Sequence, residues 1–448
     1  MFKVLIFSCW FFTFSLNLFA DPQWSRPHTI STLGASVPNV EIDSSGNAVA
    51  IWREFTSEKT KIQAARFTKG KWSKLINLSV FKGQYSIVPQ IAVNNNGHAV
   101  AVWNEYVKNS TIIKAATMTD KGVWSKPVIL TQFTPQNLHE NFTYESIFDP
   151  TLSVALSPSG YAVAAWTIYS DPKNLLEAST LQFGGEWSEP VTIAVKEKRS
   201  FSGGCVNVVV DSSNNAAVIW DKFSFVESDE NSILVSTLQY GGNWSEALSF
   251  LSGYGPQVVF DSLGNLIALW NKCTDGDCYM YTSTFSFRGN WSEPTIFSKS
   301  KNARIGQLVF DQEGNALAVW EVLDEEVPNE KIHIESSYRP FGGDWSEPLT
   351  ISGKNELSTE PKAAFDFHGN AIVTWDDIRN TEKRGEKDVE SVVLTCSRAA
   401  NGTWSEPVTL SARNQYSFSP RIAVSPEGIS TIVWSNKTFT VIQAAESK

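Results

Sequence analysis

The stretch Asp43-Ser44-Ser45-Gly46-Asn47-Ala48-Val49-Ala50-Ile51-Trp52 holds a turn followed by a run that is apolar at every alternate position and at the positions between. Side chains alternate across a strand, so a strand apolar on both faces belongs to a sheet covered on both sides. Upstream, residues 40–42 form a second short apolar run, and the Asp-x-x-Gly-Asn turn joins the two, glycine supplying positive φ. Downstream, residues 62–67 read as a third strand, and a glycine turn opens a fourth at Trp72-Ser73. Four short strands bounded by turn signals make an all-β unit.

Two tryptophan series show that the unit recurs. Trp52, Trp103, Trp166, Trp220, Trp270, Trp320, Trp375 and Trp434 each end a short apolar run, and Trp24, Trp72, Trp124, Trp187, Trp244, Trp291, Trp345 and Trp404 each precede a serine. With Trp10 they account for all 17 tryptophans of the 448-residue chain. A repeat of about 55 residues, with sheets covered on both faces, predicts a β-propeller in which each blade packs between two neighbours. The chain opens on a lone fourth strand, residues 24–31, and ends after a third, residues 441–445. The pattern therefore predicts an all-β, eight-bladed β-propeller of four-stranded antiparallel blades, the ring closed by the N-terminal strand joining the C-terminal blade. Residues 21–448 would form this single domain.

Residues 1–20 read differently. Lys3, an apolar run over residues 4–16 and the small Ala20 give the order of a secretory signal peptide. The mature chain is then expected outside the cytoplasm, as a secreted, periplasmic or cell-surface monomer without membrane insertion. Lys and Arg number 37 against 47 Asp and Glu, a net charge of −10, and 42% of the residues are hydrophobic. Such a chain is too apolar to be disordered, and its acidity argues against a nucleic-acid partner or a grip on anionic lipid.

Of five cysteines, Cys9 leaves with the leader. Cys273 and Cys278 end a tight loop and are predicted to form a disulfide in an oxidising compartment. Cys205 and Cys396 fall in separate blades and read as small buried residues. No metal and no cofactor are expected. The turn aspartates Asp43, Asp211, Asp261, Asp311 and Asp366 are replaced by Asn94, Ser157 and Ser425 in the other repeats, which can cap a turn but would cost calcium its carboxylate. His28, His98, His139, His333 and His368 are scattered over the strand map, without a zinc set or a Ser-His-Asp constellation.

The uniform turns share one side of the propeller, and the variable links the other: residues 131–150, 223–232, 323–331 and 376–389. Variable loops on a rigid scaffold are where binding usually sits. Four residues before each turn Asp, or its substitute, stand Asn39, Gln90, Ser153, Asn207, Gln257, Gln307, Lys362 and Arg421, all polar in an otherwise apolar innermost strand. They admit two readings: a rim in which amides satisfy neighbouring blades, or a ligand ring where Lys362 and Arg421 attract an anionic group. The residue after each strand-two tryptophan is never apolar: Arg53, Asn104, Thr167, Asp221, Asn271, Glu321, Asp376 and Ser435. Phe55, Tyr106, Tyr169 and Phe223 place aromatics on the same face of the first four blades. Glu54, Glu105, Asp221, Glu321 and Asp376 are the carboxylates from which an acid/base pair would have to come.

The turn Gly184-Gly185-Glu186-Trp187-Ser188-Glu189-Pro190, repeated as Gly342-Gly343-Asp344-Trp345-Ser346-Glu347-Pro348, resembles the blade turn of sialidase-like propellers with Asp-box repeats. The likeness runs from Trp24 to Trp404 with degenerate boxes; only Asp120 stands near the box aspartate. It implies a propeller fold, and for an active member an arginine trio, a tyrosine nucleophile with its glutamate and an acid aspartate. No Arg-Ile-Pro segment near the N-terminus begins that set. The expected function is a non-enzymatic binding module that takes a protein or glycan at the channel mouth and loop face. The alternative is a carbohydrate-active enzyme, a sialidase-like glycoside hydrolase with a rearranged active site.

Overall fold

The computed structural model describes residues 22–447, apart from 57–58, 83–85, 108–109, 135–150, 169–172, 198–199, 202–204, 225–230, 287–289, 325–330, 354–356, 384–385 and 439. The predicted leader, most of the 131–150 insertion and Tyr169 lie outside the described residues. Within them the fold is all β, and no helix is long and apolar enough to cross a membrane. The first unit runs Ala35–Ile42, Ala48–Phe55, Lys59–Thr68 and Lys71–Trp72, antiparallel throughout.

The expected ring of eight separate four-stranded blades is corrected at the level of the sheets. Among the described residues the strands form seven sheets, four of four strands, two of five and one of eight, and none closes on itself. The eight-stranded sheet joins units six and seven through one parallel bridge, Ile332 to Leu357. The reason is local: the fourth strand of unit six is only Leu349–Thr350, so the third strand, Lys331–Arg339, is left uncovered where Leu357–Phe365 begins the next unit. In units one and four an additional strand, Ile76–Lys82 or Ser200–Phe201, brings the count to five. The two-residue strand His28–Thr29 pairs with Val441–Ser447 at the edge of the last unit's sheet.

What joins the units is side-chain packing. Each hydrophobic cluster draws on two units, and in each the later unit contributes both of its tryptophans. Trp103 and Trp124 of unit two, for example, meet Val49, Ile51, Ile62 and Ala64 of unit one. Trp52 and Trp72 likewise share a cluster with Ala423, Val433, Ile442 and Ala444 of the last unit. The eight strand-two tryptophans are almost wholly buried, whereas those preceding serine cover the cluster margin.

The Trp-Ser pair also fastens the fourth strand to the third. Ser125 donates its N–H to the Thr117 carbonyl at 2.8 Å, and Thr117 N–H donates to Ser125 Oγ at 3.0 Å. The same donation to a serine hydroxyl recurs at Ser25, Ser73, Ser188, Ser245, Ser292, Ser346 and Ser405. On the turns between first and second strands, Asp261 accepts from the N–H groups of Leu263 and Asn265 and from Asn265 Nδ2. Asn94 accepts from Asn96 and His98 N–H groups through its amide oxygen, so the turn requires an acceptor and not a charge.

Trp103→Ala is expected to lower unfolding free energy by about 3–5 kcal/mol, the range for emptying a packed aromatic site. Urea denaturation checks this; a change below 1 kcal/mol, roughly the size of an ordinary surface substitution, would contradict inter-unit tryptophan packing as a main support.

Candidate functional site

The loop end of the first strands carries a recurring irregularity. The register with strand two slips between Ser36 and Asn39, Tyr254 and Gln257, Thr359 and Lys362, and Phe418 and Arg421. At each of these bulges one residue takes positive φ: Val37 at 55°, Gly255 at 62°, Glu360 at 52° and Ser419 at 53°. A bulge turns an N–H out of the ladder, and a buried N–H needs an acceptor.

The preceding unit supplies it, from the residue after its strand-two tryptophan. Val37 N–H donates to Ser435 Oγ at 3.3 Å, Gly255 N–H to Asp221 Oδ2 at 3.0 Å, Glu360 N–H to Glu321 Oε1 at 2.7 Å and Ser419 N–H to Asp376 Oδ2 at 3.1 Å. Asn271 serves the same junction in reverse, its Nδ2 donating to the Ala303 carbonyl at 2.7 Å. The polar positions read from the sequence as a loop-face site are thus buried here, Glu321 at 1% exposure and Asp376 at 5%.

A second row of inter-unit bonds runs through the polar first-strand residues. Val208 N–H donates to Ser153 Oγ, Val258 N–H to Asn207 Oδ1, Leu308 N–H to Gln257 Oε1 and Ala363 N–H to Gln307 Oε1, at 2.7–3.2 Å. Asn39 Nδ2 donates to Gln90 Oε1 at 3.3 Å. The row changes character at Lys362 and Arg421, because ammonium and guanidinium groups have no acceptor to offer. Arg421 Nη1 donates to the Pro420 carbonyl at 2.8 Å and stands 3.6 Å from Glu360 Oε2. The Lys362 side chain is half-buried and makes no hydrogen bond or ion pair among the described residues.

The electrostatics of this corner follow from burial and crowding. Desolvation, and then the neighbouring Arg421, pull the Lys362 ammonium down to about 8, against the opposing pull of Glu360, Glu321 and Cys205. Burial raises the Asp376 carboxyl well above the usual carboxylate range, partly offset by the Ser419 N–H. Burial also raises Glu321, despite the Glu360 N–H and Arg304, whose Nε lies 3.4 Å from Glu321 Oε2. Cys205 is solvent-exposed, which corrects its reading as a buried residue. Its thiol is nevertheless pushed up by desolvation and Asp221, with Lys362 opposing.

The remaining loop-face residues are dispersed. Glu54 pairs with Lys61 at 3.2 Å, and Glu105 is buried between Ser79, Trp103 Nε1 and Lys114. Arg53 Nη2 donates to Ser36 Oγ at 3.2 Å. Phe55 is 45% exposed, Tyr106 is half-buried, and only the backbone of Phe223 is described, paired with Phe201. Cys273 and Cys278 are disulfide-bonded across a hairpin tip, with Tyr254 Oη 3.0 Å from Cys273 Sγ. Among the described residues no group of three His, Cys, Asp or Glu side chains is placed to hold a metal ion.

Two acids escaped the sequence reading. Glu360 occupies the bulge two residues before Lys362, a position whose meaning appears only once the slipped register is known. Glu41, two residues beyond Asn39, is raised to about 7 by burial. Its counterparts are Ala92, Ala155, Val209, Val259, Val309, Ala364 and Ala423, so a carboxylate among aliphatics was the available signal.

Asp376→Asn keeps an acceptor for Ser419 and removes the titration. A carboxyl raised in the folded state holds its proton where the unfolded chain has lost it, so stability falls as pH rises above about 4. The Asn variant should therefore lose less stability than the parent between about pH 4 and pH 7, while Asp376→Ala loses about 1–3 kcal/mol by orphaning the N–H. Thermal melts across pH test both; parallel slopes for parent and Asn variant would refute the assignment.

No family model matches the chain, and no curated protein matches it. Solved structures do. The β-propeller domain of the Trilobed protease from Pyrococcus furiosus is 8% identical with a TM-score of 0.46, over 86% of this chain and 98% of that one. NanB sialidase from Streptococcus pneumoniae, as a point variant, is 12% identical with a TM-score of 0.42, over 96% and 94%. The α-L-arabinanase of Penicillium chrysogenum, complexed with arabinobiose, is 12% identical with a TM-score of 0.42, over 66% and 92%. These likenesses are weak and fall on diverse glycosidases and proteases, not on one sialidase-like family; the all-β architecture of blade-like sheets rests on the strands themselves.

Proposed function

We propose that this chain is a secreted, non-enzymatic binding module that takes a protein or glycan partner at the loop end of the first strands, with Lys362 and Arg421 receiving an anionic group of that partner. The observation that carries the reading is the change in the inter-unit row. Where units three to six present an oxygen to the next unit's backbone, units seven and eight present two half-buried cations, one without a side-chain partner among the described residues. Such a pair favours an anion more strongly than it would in open water.

The carboxylates support binding over hydrolysis. Asp221, Glu321 and Asp376 each hold a backbone N–H, and Glu54 and Glu105 each hold a lysine. An acid/base pair has to exchange protons with substrate and water, which such engagement obstructs. The leader-like segment and the Cys273–Cys278 disulfide favour an extracytoplasmic setting.

The purified mature chain should bind members of a broad glycan array, and the Lys362→Ala/Arg421→Ala double variant should not. Affinity should also fall as pH rises through about 8, where Lys362 sheds its proton. Glycan binding that survives the double change would remove the cation pair from the site. An array without binders would shift the reading to a protein partner, to be sought by pull-down with the double variant as the control.

A further inference from the structure

We propose that Glu360 is the specificity-determining residue of the cation pair: it is the resident counter-ion of Arg421, and the site selects a phosphate or sulfate ester whose tetrahedral oxyanion spans Lys362 and Arg421 by displacing it. This rests on the reading of Lys362 and Arg421 as an anion site and adds to it the class of anion and the group that must give way.

The backbone of Glu360 is held in place while its side chain is not. Its N–H is fixed by Glu321 Oε1 at 2.7 Å, and its φ of 52° is one that unit five meets with glycine, at Gly255. A glutamate here bears backbone strain that glycine would avoid, yet its carboxylate contributes nothing to the bulge. The side chain is 42% exposed, and Oε2 lies 3.6 Å from Arg421 Nη1. That separation exceeds a direct hydrogen bond, and partly exposed ion pairs of this kind are weak and screened by salt. Glu360 is therefore near enough to neutralise Arg421 in the resting protein and loose enough to leave.

Lys362 has no such companion. Its ammonium has no hydrogen bond or ion pair among the described residues, although it lies in the fields of both Arg421 and Glu360. A carboxylate ligand entering here would replace one carboxylate by another on Arg421 and gain only at Lys362. A tetrahedral oxyanion carries more oxygens and, as a phosphate, more charge. It can bind Lys362 and keep a second oxygen on the guanidinium, whose fork suits such groups. The neighbouring acids offer less opposition than their number suggests, because burial favours the protonated forms of Asp376 and Glu321.

The test is acetylation footprinting of Lys362 by mass spectrometry in the full-length mature chain, titrated separately with inorganic phosphate, sulfate and acetate. In the parent, phosphate or sulfate should protect Lys362 at a concentration at least about tenfold below that of acetate, and the two tetrahedral arms show which ester is preferred. Glu360→Gln should lower the half-protecting concentration about three- to fivefold, the size expected for one weak ion pair, and should narrow the gap to acetate. Glu360→Gly, which also relaxes the backbone, should behave like Glu360→Gln, and Arg421→Ala should abolish protection. Protection in the parent that both Glu360 variants leave unchanged, or weaken, would overturn the role of Glu360 while the anion site stands. Acetate protecting as well as phosphate and sulfate would overturn the choice of anion. Absence of protection by all three anions would overturn the anion site itself, and this inference with it.

Discussion

A backbone N–H turned out of a sheet at the junction of two packed units has to be answered, since an unpaired buried donor costs about as much as a whole hydrogen bond contributes. In this protein the answer comes from the neighbouring unit. The strand-two residue that follows each tryptophan is polar because its side chain, in units four, six, seven and eight, accepts the N–H of the next unit's bulge. One constraint thereby places Glu321 and Asp376 beside the bulges of Glu360 and Ser419. It also brings them near Lys362 and Arg421, which lie two residues further along those same strands. The electrostatics of the candidate site are in this sense a by-product of how the units are joined.

The tryptophans serve the same junctions from the apolar side. Each unit turns both of its tryptophans toward the unit before it and offers alanine, valine and isoleucine to the unit after it. Large rings against small side chains fill a gap between twisted sheets without requiring continuous strand pairing, so sheet continuity is incidental to the assembly. That is why one parallel bridge at Ile332 can merge two units into an eight-stranded sheet while the packing around Trp375 keeps the pattern seen elsewhere. The proline that often follows Trp-Ser-Glu or Trp-Ser-Lys falls where the outermost strand begins, and it deprives that edge of a donor for stray pairing.

Strand positions, turns and the repeat were legible because each depends on local chemistry: Asp or its substitutes at the turn, a doubly apolar second strand, and Trp-Ser at the fourth. Sheet membership was not, because it turns on the lengths of fourth strands and on single bridges, which carry no composition of their own. The row of amides was visible as a pattern at Asn39, Gln90, Asn207, Gln257 and Gln307, but whether those amides face a ligand or the next backbone depends on the strand register. Once the register is known, with its slips before Gln257 and Gln307, Asn207, Gln257 and Gln307 account for themselves as inter-unit acceptors. Glu321 and Asp376 also move from candidate acids to structural ones. The bulge residue Glu360 could not be singled out beforehand, since its significance lies in a φ value and in a partner one unit away.

A repeat whose junctions share one solution makes its departures informative. Serine and carboxamides can each take an N–H from the neighbour, so exchange among them leaves the junction intact. Lysine and arginine cannot, and they occur at adjacent positions of the row, in units seven and eight. Burying an ammonium beside a guanidinium is unfavourable by desolvation and by repulsion, and the lowered affinity of Lys362 for its proton expresses both. Nothing in the junction requires that expense, since the residues that serve units three to six at the same position would have served here. The Glu360 carboxylate, alongside Arg421 but only loosely paired with it, belongs to the same departure. Cations and counter-ion meet in one corner of an otherwise regular molecule, and regularity is what the packing alone would have produced.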